Sequence, residues 1–453
     1  MPRRLFPPLM LLLASCTSST APYETPTRSV GTASFAPSIP TFEPSSATTG
    51  SVLRSNASIV RDFLDLSFSL ESGTEIPLLT RFEGPISVQL TGRYPATASA
   101  DLESLLARLR NEAGIDINRS QSGTPNILIE AIPRSEINRL VPNAACFVAP
   151  NVSGLSDYLK NGQNRRHSWS RMTVRKTMTI FVPSDASPQE TRDCLHEEVS
   201  QAIGPLNDLY HLTDSVFNDD NVHATLTSFD MLILRAYYDP MLSNGMTRQE
   251  VAGRLPYILT RLNPAGRGLP SSSVSNVIAQ WDASIKQALG NGVSDRERIR
   301  AAQRAVALVK AHRITDNRAA FSYFVLGRVT MGKNDRESRS AFETADRLYA
   351  GLPDSGIHRA FVATQLAAFA LSEGRADQAL QMVKPYLQIA RDNENASLLA
   401  TLMLLQAEAL ELKGASADAR SVRLDSMGWA RYGFGSEKAV QARIREIAAL
   451  SPR

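Results

Sequence analysis

Apolar residues recur with two different periods along the first half of the chain. A helical period runs over residues 58–68 and again over 100–113, where Gly114 ends the pattern. Strand-like apolar runs occur at residues 86–90, 126–132 and 176–182. A further helical segment starts near Thr191 and stops at Gly204-Pro205. This succession of helices and strands predicts an α+β domain over residues 58–263.

The second half of the chain shows only helical periodicity. It follows a Pro-, Gly- and Ser-rich joint that starts at Asn263, and it covers residues 274–453. Gly332, Gly374 and Gly414 each separate two apolar helices and lie 42 and 40 residues apart. This arrangement resembles the helical hairpins of tetratricopeptide repeats, although the usual period is shorter. The resemblance implies an all-α helical-repeat domain that binds peptides or proteins, with a plain helical bundle as the alternative.

Two segments near the carboxyl terminus complete this pattern. The stretch Met427–Gly435, rich in glycine and aromatic residues, is interpreted as a turn. Its aromatic side chains, Trp429, Tyr432 and Phe434, are expected to pack rather than to bind a ligand. A last helix over residues 437–450 is expected to cap the stack.

The amino terminus has the pattern of a secretion signal. Arg3 and Arg4 precede an apolar run that is too short to span a bilayer. Leu13-Ala14-Ser15-Cys16 is similar to the lipobox of bacterial lipoproteins, in which the cysteine receives lipid and the chain is cut before it. The resemblance implies a signal peptide over residues 1–15 and membrane anchoring through lipid on Cys16. An ordinary secretory signal with a chance cysteine is the alternative.

A lipid on Cys16 places the protein in the cell envelope, facing the periplasm. Thr17, rather than an aspartate, follows the cysteine, which favours the outer membrane over retention in the inner one. The segment 16–57 is dominated by Ser, Thr, Pro and Ala. It predicts a disordered tether, because too few large apolar residues are present to offset the entropy of ordering.

Composition and charge narrow the candidate functions. A chain of 453 residues with 43% hydrophobic residues is long enough for two or three globular domains. After Arg3 and Arg4 leave with the signal, 47 basic residues face 45 acidic ones, so the net charge of +2 gives no argument for nucleic acid binding. The chain has no G-x-x-x-x-G-K-[S/T] loop and no G-x-S-x-G elbow. Nucleotide binding and serine hydrolase chemistry are therefore not expected.

The two remaining cysteines, Cys146 and Cys194, lie in the exported part of the chain. Disulfides persist in oxidising compartments, so the sequence predicts a Cys146–Cys194 bridge. Such a bridge ties the segment around Cys146 to the start of the helix that ends at Gly204. Two buried free thiols are the alternative.

The helix that ends at Gly204 carries the strongest candidate chemistry. At 100° per residue its apolar positions share one face, whereas Glu197 and Gln201 fall on the opposite side with Glu198 at its flank. The spacing Glu197-Glu198-x-x-Gln201-x-x-Gly204-x-x-Asn207 is similar to the H-E-x-x-H-x-x-G-x-x-H motif of metzincin zinc peptidases. This resemblance puts Glu198 at the position of the general base. It puts Glu197, Gln201 and Asn207 at the three metal-ligand positions, none of which is a histidine.

The resemblance covers residues 58–262 and implies a metzincin-like α+β domain. A segment that begins Ser215-Val-Phe-Asn corresponds in position to the turn beneath the metal of metzincins. The apolar helix after Leu226 corresponds to the closing helix of that fold. The stretch from His196 to Asp208, together with Ser215 to Asp219, also resembles a bacterial lipoprotein family with no assigned function, from which no activity transfers.

The donor atoms of the candidate metal site decide which ion it suits. Zinc prefers imidazole and thiolate ligands, whereas a carboxylate with two amide oxygens suits Ca²⁺ or Mg²⁺. We therefore expect no cofactor, with a weakly bound divalent cation at Glu197, Gln201 and Asn207 as the alternative. His211 and His223 follow in a polar loop, where they are either recruited as ligands or simply solvated.

Two functions from different classes follow from these patterns. The first is a membrane-anchored envelope lipoprotein, with a non-catalytic pseudopeptidase domain and helical repeats that bind a protein or peptide partner. The second is an atypical metal-dependent peptidase with Glu198 as general base. The first is our expectation, because every ligand position has departed from histidine.

Overall fold

The computed structural model consists of an α/β domain followed by an all-helical region, which confirms the predicted fold class. It describes residues 39–42, 52–161, 168–218, 220, 222–270 and 275–452. The predicted signal peptide over 1–15, Cys16 and most of the predicted tether over 16–57 lie outside the described residues. None of the described helices combines the length and the apolar character that crossing a bilayer requires.

A mixed sheet, five-stranded within the described residues, forms the centre of the α/β domain. Its strands are β1 (Ile86–Gly92), β2 (Ile117–Arg119), β3 (Ile127–Ile132), β4 (Phe147–Pro150) and β5 (Met178–Pro183). They lie in the order β2-β1-β3-β5-β4, and β4 pairs antiparallel with β5 at one edge while the other neighbours are parallel. Strand β5 is buried along its whole length, which agrees with its continuous apolar run.

Seven α-helices accompany this sheet in the described part of the domain. They are α1 (Asn56–Ser67), α2 (Ala98–Ala113), α3 (Arg134–Leu140), α4 (Leu155–Asn161), α5 (Pro188–Ile203), α6 (Ser228–Tyr237) and α7 (Arg248–Leu262). The predicted helices correspond to α1, α2, α5 and α6. The folded body begins before the predicted boundary at residue 58, because Val52 is already buried in the core.

The helical region consists, over the described residues, of ten α-helices. They are α8 (Ser275–Leu289), α9 (Asp295–Ala311), α10 (Asn317–Thr330), α11 (Asp335–Ala350), α12 (Gly356–Ser372), α13 (Ala376–Val383), α14 (Leu387–Asp392), α15 (Ala396–Leu412), α16 (Ser416–Phe434) and α17 (Glu437–Ala448). Gly332, Gly374 and Gly414 have φ of 70°, 73° and 80° in the turns of three helical hairpins. These left-handed conformations favour glycine. Pro385 separates α13 from α14 because it cannot continue an α-helix, so the hairpins are unequal.

The predicted aromatic turn over Met427–Gly435 is wrong. Helix α16 continues through Phe434 and ends at Gly435. A Cβ on Gly433 would lie 2.6 Å from the Cα of Ser397 in α15, so this glycine permits two helices to approach closely. The glycines of this stretch therefore serve packing inside a helix, which composition alone does not distinguish from a turn.

The predicted disulfide between Cys146 and Cys194 is confirmed. It joins residues 48 apart in the sequence and connects the entry to β4 with the middle of α5. Cys194 is buried, and Cys146 packs against the same apolar core. The bridge limits the movement of α5 relative to the sheet edge.

Helix α5 is buried on nearly all sides. Its carboxyl end is held by Arg175, whose guanidinium donates to the carbonyls of Gln201 at 2.6 Å and Gly204 at 2.5 Å. Arg175 is only 1% exposed and also lies over the rings of Trp169 and Tyr237. These helix-terminal carbonyls carry partial negative charge, so they stabilise a cation that has no carboxylate among its hydrogen-bond partners in the described structure.

Replacing Arg175 by methionine should lower the free energy of unfolding by about 3 kcal/mol, because two buried carbonyls lose their donors. Urea unfolding followed by circular dichroism measures this change. Arg171→Met is the control, because Arg171 is exposed and four residues away. Equal stability of the two variants would contradict the role given to Arg175.

Candidate functional site

The α/β domain and the helical region have separate apolar cores, and several polar contacts join them. Arg192 in α5 donates to Asp101 in α2 at 3.2 Å and pairs with Glu394, which lies just before α15. The loop between α5 and α6 reaches into the helical region, where Val222 is part of the apolar core. Ionic groups and this inserted loop are thus among the contacts that hold the two units together.

A cleft of about 1460 Å³ opens where the two units meet. The α/β domain contributes α1 and the loop over residues 207–229, and the helical region contributes residues of α8, α10, α12 and α14. Pockets for small molecules usually enclose about 300–1,000 Å³. The cleft therefore has room for a peptide segment.

Glu198, the predicted general base, lies outside this cleft and is 4% exposed. Its Oε2 atom has no hydrogen-bond partner among the described residues. Burial raises the pKa of Glu198 well above its usual value, and the nearby carboxylates of Glu197 and Glu71 raise it further. Burial and the neighbouring carboxylates thus both favour the protonated form of this carboxyl group.

The three predicted metal ligands have different surroundings. Gln201 is buried and donates to Asp208 at 3.2 Å, whereas Asn207 donates to the backbone carbonyl of Asp65 at 3.0 Å. Asn207 lines the cleft, but Glu197 and Gln201 do not. Within the described part of the chain, no three His, Cys, Asp or Glu side chains are grouped closely enough to hold a metal ion. A cation bound by Glu197, Gln201 and Asn207 stays a prediction.

His196, which precedes the two glutamates, has a structural role. Its Nδ1 atom accepts the backbone N–H of Leu226 at 3.1 Å. Burial lowers the pKa of His196 well below its usual value, and the charges of Arg192 and Arg108 lower it further. The neutral ring thus connects α5 to the end of the loop that reaches the helical region.

His211 forms a bridge between the two units. Its Nδ1 atom lies 3.1 Å from Asp282 in α8, and its Nε2 atom lies 3.3 Å from Asp62 in α1. Burial alone would lower the pKa of His211, but the hydrogen bonds and charges of the two aspartates outweigh it and raise the pKa to about 9. His211 is therefore a cation between two carboxylates at neutral pH, and is not solvated as the polar loop suggested.

His223 and His358 form a second histidine contact across the same junction. Their ring centroids lie 5.6 Å apart, and His223 donates to the carbonyl of Thr213 at 3.1 Å. Burial lowers the pKa of both rings, and the neighbouring His223 helps to lower that of His358 to about 3. Both rings are neutral at pH 7, so acidification below their normal pKa costs stability at this junction.

Several polar atoms that line the cleft are buried without a hydrogen-bond partner. Over the described residues, these are both ring nitrogens of His358, Oδ1 of Asp282 and Oδ1 of Asn317. His358 is 3% exposed. Buried polar groups are nearly always bonded in folded proteins, because an unsatisfied one costs free energy.

The cleft also has an excess of negative charge. Seven aspartates line it, against four arginines and the protonated His211. Asp62 and Asp214 are paired with Arg54, whereas Asp354 and Asp392 are exposed at the rim. This balance favours a ligand with positive charge.

Sequence reasoning missed most of this cleft. Asp282, Asn317 and His358 belong to the helical region and are separated from His211 by 71 or more residues. His358 lies on a mostly apolar helix, where a single histidine gives no sign of its neighbours. The sequence carries one signal of the cleft, the pair of loop histidines His211 and His223 that follow helix α5.

The fold and site together define a two-part protein, in which a mixed α/β domain and a helical region share one cleft. Residues 56–257 match the model of a family described as a protein of unknown function (DUF2927). The matched range covers the sheet and ends within α7, before the helical region begins. No curated protein and no solved structure matches the chain.

The His211 bridge should make stability depend on alkaline pH. A histidine whose pKa is raised on folding contributes stability that is complete below pH 6.5 and is lost as the pH rises through about 9. A shift of this size corresponds to about 3 kcal/mol. We expect wild-type protein to lose this much more than His211→Gln between pH 6 and pH 10, as measured by urea unfolding.

The exposed His312 supplies the matched control for this experiment. His312→Gln should keep the wild-type dependence on pH. Parallel curves for His211→Gln and wild-type protein would show that the bridge does not contribute.

Proposed function

We propose that this protein is a lipid-anchored envelope lipoprotein that binds a peptide segment of a partner protein in the cleft between its two units. The observation that carries the proposal is the cleft of about 1460 Å³ that residues of both units line. A peptide backbone offers alternating donors and acceptors that would bond to polar side chains on the cleft walls. The volume of the cleft supports an extended segment rather than a small molecule.

The proposed ligand is a cationic peptide. The excess of aspartates in the cleft attracts positive charge, and the exposed carboxylates of Asp354 and Asp392 lie at its rim. The helical hairpins around Gly332, Gly374 and Gly414 support a tetratricopeptide-like role in partner binding by analogy of architecture.

We further propose that the α/β domain is a pseudopeptidase related to metzincins. Helix α5 follows strand β5 directly, as the resemblance implies, and the positions of the three ligands hold Glu197, Gln201 and Asn207. Glu198 lies at the general base position, but its burial outside the cleft supports a structural role. The protein would then have kept the framework of a peptidase without its chemistry.

The alternative is a metal-dependent peptidase in which Glu198 acts as general base. A buried carboxyl group with a raised pKa is found at many catalytic sites, and this observation favours the alternative. Cleavage of a bound peptide by wild-type protein, lost in Glu198→Gln and dependent on added metal, would establish it. Binding without cleavage, unchanged in Glu198→Gln, supports the pseudopeptidase.

Removal of charge at the rim should weaken the binding of a cationic peptide. The probe is a fluorescein-labelled decapeptide of alternating lysine and alanine, and its binding is followed by fluorescence anisotropy. Because exposed charge pairs contribute up to about 1 kcal/mol each, Asp354→Asn with Asp392→Asn should weaken binding about fivefold to tenfold. The matched control is Asp418→Asn with Asp425→Asn, two exposed aspartates outside the cleft. Equal affinity of both double variants would contradict the cleft as the binding site.

Replacing Cys16 by alanine should release the protein from membranes. The thiol is the proposed site of lipid attachment, and a chain without acyl groups has no anchor. Fractionation of cells that express the wild-type and Cys16→Ala proteins measures this effect, together with incorporation of labelled palmitate. Membrane association of the Cys16→Ala variant would argue against lipid anchoring at this residue.

A further inference from the structure

Part of the predicted tether lies against the folded body. Among residues 39–42, the ring of Phe42 lies 4.9 Å from the ring of Trp429 and 5.5 Å from that of Tyr432. The guanidinium of Arg192 lies 5.2 Å from the centre of the Phe42 ring. Phe42 therefore occupies an aromatic pocket with a cation at one side.

Both units of the protein build this aromatic pocket. Arg192 belongs to α5 of the α/β domain, whereas Trp429 and Tyr432 belong to α16 of the helical region. The hydroxyl of Tyr432 donates to Asp101 at 3.0 Å, and Asp101 also accepts from Arg192. The pocket is thus a rigid surface, because its walls are held by the ionic contacts that join the two units.

Phe42 acts as the single anchor of an extended peptide segment. Pro40 lies two residues before it and restricts the backbone, which lowers the entropy lost on docking. Ile39, at the start of the described segment, is 39% exposed, so Phe42 is the main apolar contact. Phe42 thus docks as a single aromatic anchor against two aromatic rings and one guanidinium.

We propose that the aromatic pocket is a peptide-binding site that recognises a Pro-x-Phe segment, and that Pro40-Thr41-Phe42 occupies it as a ligand from the same chain. A partner that presents such a segment binds by displacing Phe42. This site is separate from the cleft, since Arg192, Trp429 and Tyr432 do not line the cleft.

The opposing contributions to the docking of Phe42 allow a partner peptide to replace it in the aromatic pocket. Ordering the four residues costs conformational entropy, whereas one aromatic anchor and one cation–π contact stabilise the docked segment. Covalent connection gives the segment a high effective concentration, so it excludes weakly binding peptides from the intact chain. Removal of the phenyl ring leaves the pocket open to a peptide in solution.

The test uses the full mature chain and a fluorescein-labelled peptide with the sequence of residues 37–46. Binding is measured by fluorescence anisotropy. We expect Phe42→Ala protein to bind this peptide at least tenfold more tightly than wild-type protein, whose pocket is occupied. A peptide with alanine in place of its phenylalanine should bind neither protein.

Two variants of the chain control this experiment. Phe35→Ala alters an aromatic residue earlier in the same predicted tether, and it should behave like wild-type protein. Trp429→Ala combined with Phe42→Ala should abolish binding, with circular dichroism to verify folding. If the Phe42→Ala protein does not bind the peptide at millimolar concentration, or binds it no more tightly than wild-type protein, the proposal is overturned. Neither result tests the proposal that cationic peptides bind in the cleft, because the two sites share no residue.

Discussion

The burial of helix α5 is the constraint on which the rest of the structure depends. A helix enclosed by the sheet, by α2 and by the helical region has little access to water, so most of its buried polar groups need partners in the protein. Arg175 donates hydrogen bonds to carbonyls at the carboxyl end of α5. The charge of Arg192 is compensated by the carboxylates of Asp101 and Glu394. His196 accepts a backbone N–H from Leu226. These contacts position the neighbouring elements around the helix.

The need of buried polar groups for partners also explains why the cleft lies at the junction of the two units. The apolar surfaces of the two units close into separate cores, and the polar surfaces that remain meet at the junction. Charged groups such as His211, Asp62 and Asp282 hold each other at hydrogen-bond distance, and side chains of this kind do not interdigitate as apolar ones do. The space left between them is the cleft, and its volume and its lining of aspartates make it a binding site in our proposal.

The elements that depend on local pattern could be predicted from the sequence. The strands at Ile127–Ile132 and Met178–Pro183 are apolar along their length, and the glycine turns of the helical hairpins carry their own signal. Strands β2 and β4 are too short for a period to be visible, and Gly433 was mistaken for a turn because its role is contact with α15. The surroundings of Glu198 and His358 depend on residues far away in the chain, which periodicity does not report. The sequence puts Glu197 and Gln201 on one side of α5, and a buried helix can carry such polar groups when the fold supplies their partners.

The inserted loop between α5 and α6 makes the covalent joint near residue 263 a poor place to divide the molecule. Val222 fills part of the core of the helical region although it precedes that joint by about forty residues. A fragment that begins at α8 would lack this side chain and keep an unfilled hollow among its own helices. The isolated α/β fragment would in turn expose the apolar tip of the loop between α5 and α6 to water. Dissection of the protein into independent pieces would thus damage both of them, and the structural boundary follows the surface of the loop rather than the linker.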